Sequence, residues 1–288
     1  VVTYGINSAG GFAAVMDNAR ALPGYLSLNN TFDAANNASN SFSFISIVST
    51  LAWGIGYFGM PHILVRFMAI EDEKKLTLSR RIASVWVVIA MTVGIFIGVV
   101  GLAMTKAGSL ENLADSETVI VRITGLISRH GVIAALIAGV ILAGILAATM
   151  STSDSQLLTA ASGVSQNILH DFFHIEMDEK KSLLTARLTI VAIAVVAVFM
   201  ARNPNSSVFG IVSFAWAGFG AAFGAVMLCA LFWKRSTLAG AISGMVAGGV
   251  MVFVWKYLVR PLGGAFDIYE LLPAFLVSLV VIVVVSFL

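Results

Sequence analysis

The sequence has few charged residues. Only 11% of its 288 residues are Asp, Glu, Lys or Arg, against about a quarter in ordinary soluble domains, while 59% are hydrophobic. So few polar groups cannot cover the surface of a chain this long, which excludes a water-soluble domain. The net charge of +2 and the scatter of the basic residues exclude a nucleic-acid partner.

Cysteine is also scarce. The one cysteine, Cys229, lies inside an apolar run and cannot form a disulfide within the chain, so cysteine usage does not indicate the redox compartment and offers no metal site. We also expect no signal peptide, because the chain begins at Val1 without an initiator Met or a basic leader. Since the chain also stops inside an apolar run, we interpret it as a piece of a longer protein.

What the sequence does contain is apolar segments of about twenty residues, the length at which an α-helix crosses a hydrocarbon core of about 30 Å. We predict an all-α polytopic membrane protein. Residues 1–41 are rich in Asn, Ser and Gly and are predicted to be the end of a truncated helix and an external loop. Residues 42–288 are predicted to form one bundle of about seven spans, at 42–69, 83–105, 131–166, 186–201, 208–233, 237–258 and 269–288, the last incomplete.

The basic residues between the spans indicate the orientation. One face holds nine of them: Lys74, Lys75, Arg80, Arg81, Lys180, Lys181, Arg187, Lys234 and Arg235. The other holds seven: Arg20, Lys106, Arg122, Arg129, Arg202, Lys256 and Arg260. By the positive-inside rule the nine-residue face is cytoplasmic, which makes the 1–41 segment external.

The first complete span contains a stretch that should not remain a regular helix. Three glycines and Pro61 fall within residues 54–61. Proline lacks an N–H and clashes with the carbonyl four residues back, and each glycine costs roughly 1 kcal/mol against alanine. Broken helices at membrane depth line the sites of many secondary transporters. We predict that Trp53 and Tyr57 face such a cavity; the alternative is a proline kink with interfacial aromatic residues.

A second unusual segment lies in the third predicted span, where five consecutive polar residues follow an apolar run. Ala148, Ser151, Thr152 and Ser155 recur at i, i+3, i+4 and i+7, which places them on one face of a helix. Three hydroxyls and a carbonyl suit a hard monovalent cation such as sodium, which prefers oxygen donors. The alternative is that the hydroxyls bond back to carbonyls of the preceding turn or join helices to one another.

Asp154 lies beside this face, and an ionisable residue within a span is by default a candidate functional residue. Two interpretations stay open: a proton or ion gate, and a side chain that reaches water on the cytoplasmic side. An intramembrane aspartyl protease would need two acids that share a proton, whereas this segment offers one. We therefore expect no enzyme and no organic cofactor.

Glycines recur four residues apart at three places in the predicted spans. In lipid, small residues at this spacing let two helix backbones approach closely. We predict that these glycines are helix-packing positions. The three sets are Gly94 and Gly98; Gly220 and Gly224; and Gly240, Gly244 and Gly248.

Three segments carry a resemblance to a known family: GYFGMPHILVRFMA (56–69), LAATMST (146–152) and FAWAGFGAAFG (214–224). In order and spacing they are similar to signatures of the sodium/solute symporter family, and the similarity runs from about residue 44 to the end. The third segment is most similar to the branch that transports proline. Met60 and Asp154 depart from that branch, which generally has Gln at the first position and in some members Ser at the second. Symporters for pantothenate, sugars or carboxylates therefore stay open as alternatives.

The resemblance implies a core of two inverted five-helix repeats, with this chain mostly the second repeat plus additional C-terminal helices. It also implies sodium-coupled uptake of L-proline by alternating access in the inner (plasma) membrane of a bacterium. Trp53, Tyr57 and Pro61 would line the proline site. Sodium would be bound by Ala148, Ser151 and Thr152, with Ser155 as a weaker candidate. A transporter-like sensor domain of a signalling protein is a further alternative.

Overall fold

The structure is a computed structural model that describes residues 1–202 and 208–288. The chain forms two compact units, one of Val1–Phe42 and Glu71–Thr152, the other of Ser43–Ile70 and Ser153–Leu288. Within the described residues, five helices are long and apolar enough to cross a membrane, and a bent helix pair makes a sixth candidate.

The helices and strands are as follows, in chain order. The first are α1 (Val2–Ser8), α2 (Phe12–Arg20) and the antiparallel strands β1 (Asn30–Asp33) and β2 (Ala38–Ser41); α3 (Phe44–Gly56), a 3-10 turn (Tyr57–Gly59) and α4 (Pro61–Met68) form the bent pair. Then come α5 (Lys75–Lys106), α6 (Val119–Ile127), α7 (Val132–Ser162), α8 (Glu179–Ala201), α9 (Val208–Phe219), α10 (Ala225–Phe232), α11 (Leu238–Val254) and α12 (Leu271–Phe287). Wider π-helical turns extend α7 over Gly163–Phe172, join α9 to α10 over Gly220–Gly224 and extend α11 over Trp255–Val259.

The predicted all-α membrane architecture is confirmed. A helix or the bent pair occupies each of the seven ranges predicted as spans, although α12, with 17 residues, is shorter than the five full-length candidates. The hairpin of β1 and β2 was not predicted. It lies in the segment 1–41, where the structure also places α1 and α2.

Local polar contacts explain the structure of the 1–41 segment. Gly10 and Gly11 adopt φ values of +93° and +102°, which glycine tolerates, and so turn the chain between α1 and α2. The turn between the strands is closed by Asp33, whose carboxylate accepts bonds from the Asn36 side chain at 2.8 Å and from the Ala35 N–H at 3.0 Å. These bonds, the Asn36 side chain first, lower the pKa of Asp33 because they stabilise its charged form.

The first unit has its core where α1 and α2 meet the carboxy-terminal part of α5. Val15, Val100, Met104 and Ile123 are fully buried there. The backbone of α1 lies so close to α5 that a Cβ on Gly5 would collide with the Val100 side chain. This contact buries one end of α5, whereas most of its remaining length is exposed.

The second unit is held together by a seam of small residues between α11 and α12. A Cβ on Gly244 would collide with the Ile282 side chain, and one on Gly240 would lie 2.9 Å from the Ile282 carbonyl oxygen. The buried Ser278 hydroxyl donates to the Gly244 carbonyl at 2.9 Å across the same seam. The predicted packing role is confirmed for this glycine series.

The other two glycine sets differ from each other. A Cβ on Gly220 would lie 2.7 Å from the Cα of Gly56, so this glycine lets the chain after α9 approach α3. Around Gly94 and Gly98, by contrast, no atom of the described residues outside their own helix lies within 4 Å of an added Cβ. The packing prediction is therefore confirmed for Gly220. For Gly94 and Gly98 the described residues include no helix that packs against them.

Candidate functional site

The break in the first predicted span lies at Met60. This residue adopts an extended conformation, with φ of −81° and ψ of 110°, between the 3-10 turn and α4. Pro61 is the first residue of α4, where the N–H that proline lacks would have no helical partner. The two helices are bent by 53° relative to each other. The predicted break is therefore confirmed, and Pro61 marks its position.

Two of the glycines in this stretch also allow the end of α3 and the 3-10 turn to lie close to α9. A Cβ on Gly56 would collide with the indole of Trp216, and one on Gly59 would collide with the Phe219 carbonyl. Gly54, by contrast, has open space within the described chain. The end of α3 can therefore lie directly against α9 only because two glycines remove the side chains between them.

Trp53 is the centre of an aromatic cluster. Its ring stacks on those of Phe209, Trp216 and Tyr269, with centroid distances of 5.5, 5.4 and 5.9 Å. The indole N–H of Trp216 donates to the Trp53 carbonyl at 3.0 Å, and the Tyr57 ring meets Trp216 edge-on at 4.7 Å. We call these five rings the aromatic cluster. The structure thus brings both predicted aromatic residues onto one shared partner, Trp216.

The predicted substrate residues differ in how much of each is accessible. The Tyr57 side chain is 50% exposed, whereas Trp53 is half-buried and covered by its three stacking partners. Pro61 is half-buried at the start of α4. Met60 is buried, with 3% of its surface exposed, so the residue that departs from the proline branch contributes apolar packing at the break. Of the two predicted aromatic residues, Tyr57 is therefore the more open to a ligand.

An ion cluster that we did not predict lies beside the aromatic cluster. The Glu270 side chain is 2% exposed; its carboxylate accepts a bond from Arg260 Nη1 at 2.9 Å and lies 3.7 Å from Lys256 Nζ. Arg260 also donates to Asp267 at 2.9 Å, and the Lys256 ammonium lies 3.9 Å from the centroid of the Phe214 ring. An acid directly before the last apolar run, after two basic residues four apart, is the sequence signal that could have revealed it.

The predicted sodium face lies on α7, an unbroken helix at these positions. The Thr152 hydroxyl donates to the Ala148 carbonyl at 3.3 Å. This is the back-bond of the alternative interpretation, yet it also holds two of the predicted ligand oxygens close enough to face one small cation. Ala148, Ser151 and Thr152 are all exposed and belong to the first unit, whereas the predicted substrate residues belong to the second.

Ser155 has a different environment from the other predicted sodium ligands. Its hydroxyl oxygen accepts a hydrogen bond from Arg66 Nη2, on α4, at 3.1 Å. A guanidinium at this distance repels a second cation at the same oxygen. While this contact is made, Ser155 is better suited to join α4 to α7 than to bind sodium.

Comparison with known proteins adds the family. The Sodium:solute symporter family matches residues 1–248. The chain belongs to this family. Sodium/proline symporters of Staphylococcus aureus, including those of strains JH9 and Newman, are 39% identical to it over 260 residues, which cover 87% of this chain and 49% of theirs. The chain therefore spans about half the length of these curated relatives. No solved structure matches it.

Membership of the family bears on two of the sequence interpretations: how far the resemblance reaches, and whether the chain is an enzyme. The family match begins at residue 1, so the resemblance covers the 1–41 segment as well as the spans. Members of this symporter family are integral membrane transporters and not enzymes, which contradicts the protease alternative and places the chain in a membrane.

Proposed function

We propose that this chain acts as part of a sodium-coupled symporter and that the solute is L-proline. The observation that carries the proposal is the broken helix at Met60 with Tyr57 exposed beside it, in a chain of the sodium:solute symporter family. A helix broken at membrane depth frees backbone groups to bind a small polar solute. The name of the Staphylococcus aureus relatives, sodium/proline symporter, supports proline as that solute.

Proline would be bound by complementary parts of the break. The last carbonyls of α3 form the negative end of a helix and suit the ammonium group of an amino acid. The exposed face of Tyr57, held by Trp216, offers an aromatic surface on which a pyrrolidine ring can pack. Pro61 fixes where α4 begins and therefore how wide the break is. Trp53 would act through its contacts to Trp216 more than by touching the solute.

Sodium would be bound on α7 by the Ala148 carbonyl and the hydroxyls of Ser151 and Thr152. Neutral oxygens suit a monovalent cation that has to bind and leave in each cycle. Sodium can raise the affinity for the solute only if it binds one conformation of the transporter better than the other. Coupling is then a difference in binding free energy between the outward-open and inward-open states. Sodium and the solute both cross the membrane when the protein changes from one state to the other.

A symporter for another small solute is the second candidate, and Met60 favours it. A buried thioether stands at the break, where the proline branch of the family generally has an amide that can hydrogen-bond. Pantothenate, sugar and carboxylate symporters belong among these candidates.

The deciding experiment is uptake of labelled proline by the full-length protein in membrane vesicles, with and without an inward sodium gradient. We expect the gradient to drive accumulation and excess unlabelled proline to abolish it. Excess pantothenate, glucose and acetate are the matched competitors. Uptake that ignores the sodium gradient contradicts symport, and uptake that a different competitor suppresses better than proline contradicts the proposed solute.

A further inference from the structure

The loop between α11 and α12 reaches back to the broken helix through one residue. Tyr269 is 9% exposed, and its ring stacks on Trp53. Its hydroxyl donates to the Ser213 carbonyl on α9 at 2.6 Å, and its backbone N–H donates to the Ser49 hydroxyl on α3 at 3.0 Å. Tyr269 therefore holds both helices that carry the aromatic cluster, although it belongs to neither.

The ion cluster fixes the position of this loop. Glu270, the next residue, is buried between Lys256 and Arg260, and both cations stand on the segment that leaves α11. The indole N–H of Trp255 donates to the Ile268 carbonyl at 3.1 Å, which ties the other side of Tyr269 to the same segment. A buried charge with two partners favours one arrangement, because any other leaves the carboxylate unpaired. The backbone at Tyr269 is thus held on both sides.

A chain of contacts leads from this loop to the exposed ring of Tyr57. Tyr269 contacts Trp53, the Trp53 carbonyl accepts the bond from Trp216, and Trp216 contacts Tyr57 edge-on. A shift of Trp53 would change the bond geometry at Trp216 and with it the position of Tyr57. Each contact lies within the second unit.

We propose that Tyr269 is a positioning residue for the solute site, which holds Trp53 and the last turns of α3 in the arrangement that binds the solute. This inference rests on the proposed function, since it takes Tyr57 to contact the solute. It adds the loop before α12, which we had not associated with binding, to the residues that set affinity.

The first test compares three variants of the full-length protein in the uptake assay. Tyr269→Ala should raise the solute concentration for half-maximal uptake about threefold, with a smaller effect on the maximal rate, because a stacked aromatic pair is lost. Tyr269→Phe keeps the ring and should lie closer to the wild type. Tyr257→Ala is the matched control, since its ring contacts Phe214 and Phe253 and stands outside the aromatic cluster.

The second test needs no transport. Ala52 lies on α3 beside Trp53 and is 3% exposed, so a cysteine there should react slowly with a maleimide. The background is a protein in which Cys229 and any other cysteine are replaced by serine. There, Ala52→Cys should be labelled at least about threefold faster when Tyr269→Ala is added, because α3 loses the ring that stacks on Trp53, although the backbone bond to Ser49 remains. Adding Tyr257→Ala instead should leave the rate unchanged.

The two tests separate this inference from the proposed function. An unchanged labelling rate, or an equal change with Tyr257→Ala, overturns the positioning role, as does an unchanged half-saturation. If the wild type takes up no proline, the proposed solute is wrong, and half-saturation is measured with the solute that the competition identifies. If Tyr269→Ala does not fold, Tyr269→Leu takes its place, because leucine keeps apolar volume without a ring to stack.

Discussion

The helices that carry the two predicted sites differ strongly in how much of each is buried within the protein. The segment Val208–Phe232 carries two of the three rings that stack on Trp53, and 33% of its apolar 18-residue stretch is buried. The segment Val132–Phe172 carries the sodium face, and only 6% of its apolar stretch is buried. The aromatic cluster is packed by its own unit, with ring contacts and hydrogen bonds around Trp53. The face at Ala148, Ser151 and Thr152 is exposed.

This difference shows which site the chain fixes by itself. The rings of the aromatic cluster have partners on α3, α9 and the loop before α12, so their geometry follows from contacts within one unit. Three oxygens on α7 are fewer than the six or so with which hard cations are usually surrounded in proteins. Substitutions around the aromatic cluster should therefore change stability as well as binding, whereas those on α7 should change sodium binding alone.

The largest effect is expected at Gly248, where α11 packs against the π-helical turn Gly220–Gly224 that joins α9 to α10. In Gly248→Ala the new Cβ would lie 2.5 Å from the Ala221 carbonyl oxygen, a backbone atom that cannot move aside by rotation. We expect a loss of about 3 kcal/mol in the free energy of unfolding, as for an overpacked core. Thermal unfolding of the purified protein in detergent measures it. Gly249→Ala is the control, because outside its own helix nothing in the described chain lies within 4 Å of a Cβ there. Equal melting temperatures for both variants would contradict this packing.

A smaller effect is expected at the ion cluster. There the Arg260 guanidinium donates to two carboxylates, the buried one of Glu270 and the exposed one of Asp267. Glu270→Gln should cost about 2 kcal/mol, less than a fully buried pair, because Arg260 and Lys256 are partly exposed and can be hydrated. Asp267→Asn removes the other acceptor of Arg260, and since that side chain is 62% exposed the cost should stay below about 1 kcal/mol. The same unfolding assay compares the two, and a larger cost for Asp267→Asn would show that the buried carboxylate does not hold the loop.

How much of these sites the sequence predicts depends on how local the signal is. The break at Met60 was predictable, because the steric effect of Pro61 on the residues before it is local. The spacing of Ala148, Ser151 and Thr152 on one face followed from helix geometry alone. That Trp216 and Tyr269 are partners of Trp53 could not be predicted. Both follow Trp53 in the sequence by more than 160 residues, and no local pattern indicates which aromatic rings meet over such a separation.

Burial was the other property that the sequence could not provide. Asp154 was a candidate functional residue because it is an acid inside a predicted span, yet the structure exposes it. Glu270, at the edge of the last predicted span, is the acid that the structure buries, together with two cations from the preceding segment. Which acid is enclosed depends on how α11 and α12 pack, and this follows from glycines whose role in packing was predicted without their partners.

The α7 face offers the next test, which separates binding from stability. Ser151→Ala and Thr152→Ala in the full-length protein should each raise the sodium concentration for half-maximal uptake by about tenfold or more, because each removes an oxygen ligand. Their melting temperatures should match the wild type, since both side chains are exposed. Ser153→Ala is the matched control, because position 153 lies about 200° around the helix from position 151. Unchanged sodium dependence in both variants would remove the proposed site.

A smaller effect than on α7 is expected at Tyr57, and this variant tests directly whether the solute site and the sodium site are separate. Tyr57→Ala removes an exposed ring of the aromatic cluster, the one beside the break, and should raise the proline concentration for half-maximal uptake about fivefold, the loss expected for one aromatic contact. Phe58→Ala, at the next position and similarly exposed, removes a ring outside the cluster and should have little effect. The sodium concentration for half-maximal uptake should change less than in Ser151→Ala, because Tyr57 contributes no oxygen on α7. If Tyr57→Ala instead shifted sodium dependence as strongly as Ser151→Ala, the two sites would not be separable, and a single site shared by both ligands would explain the result better.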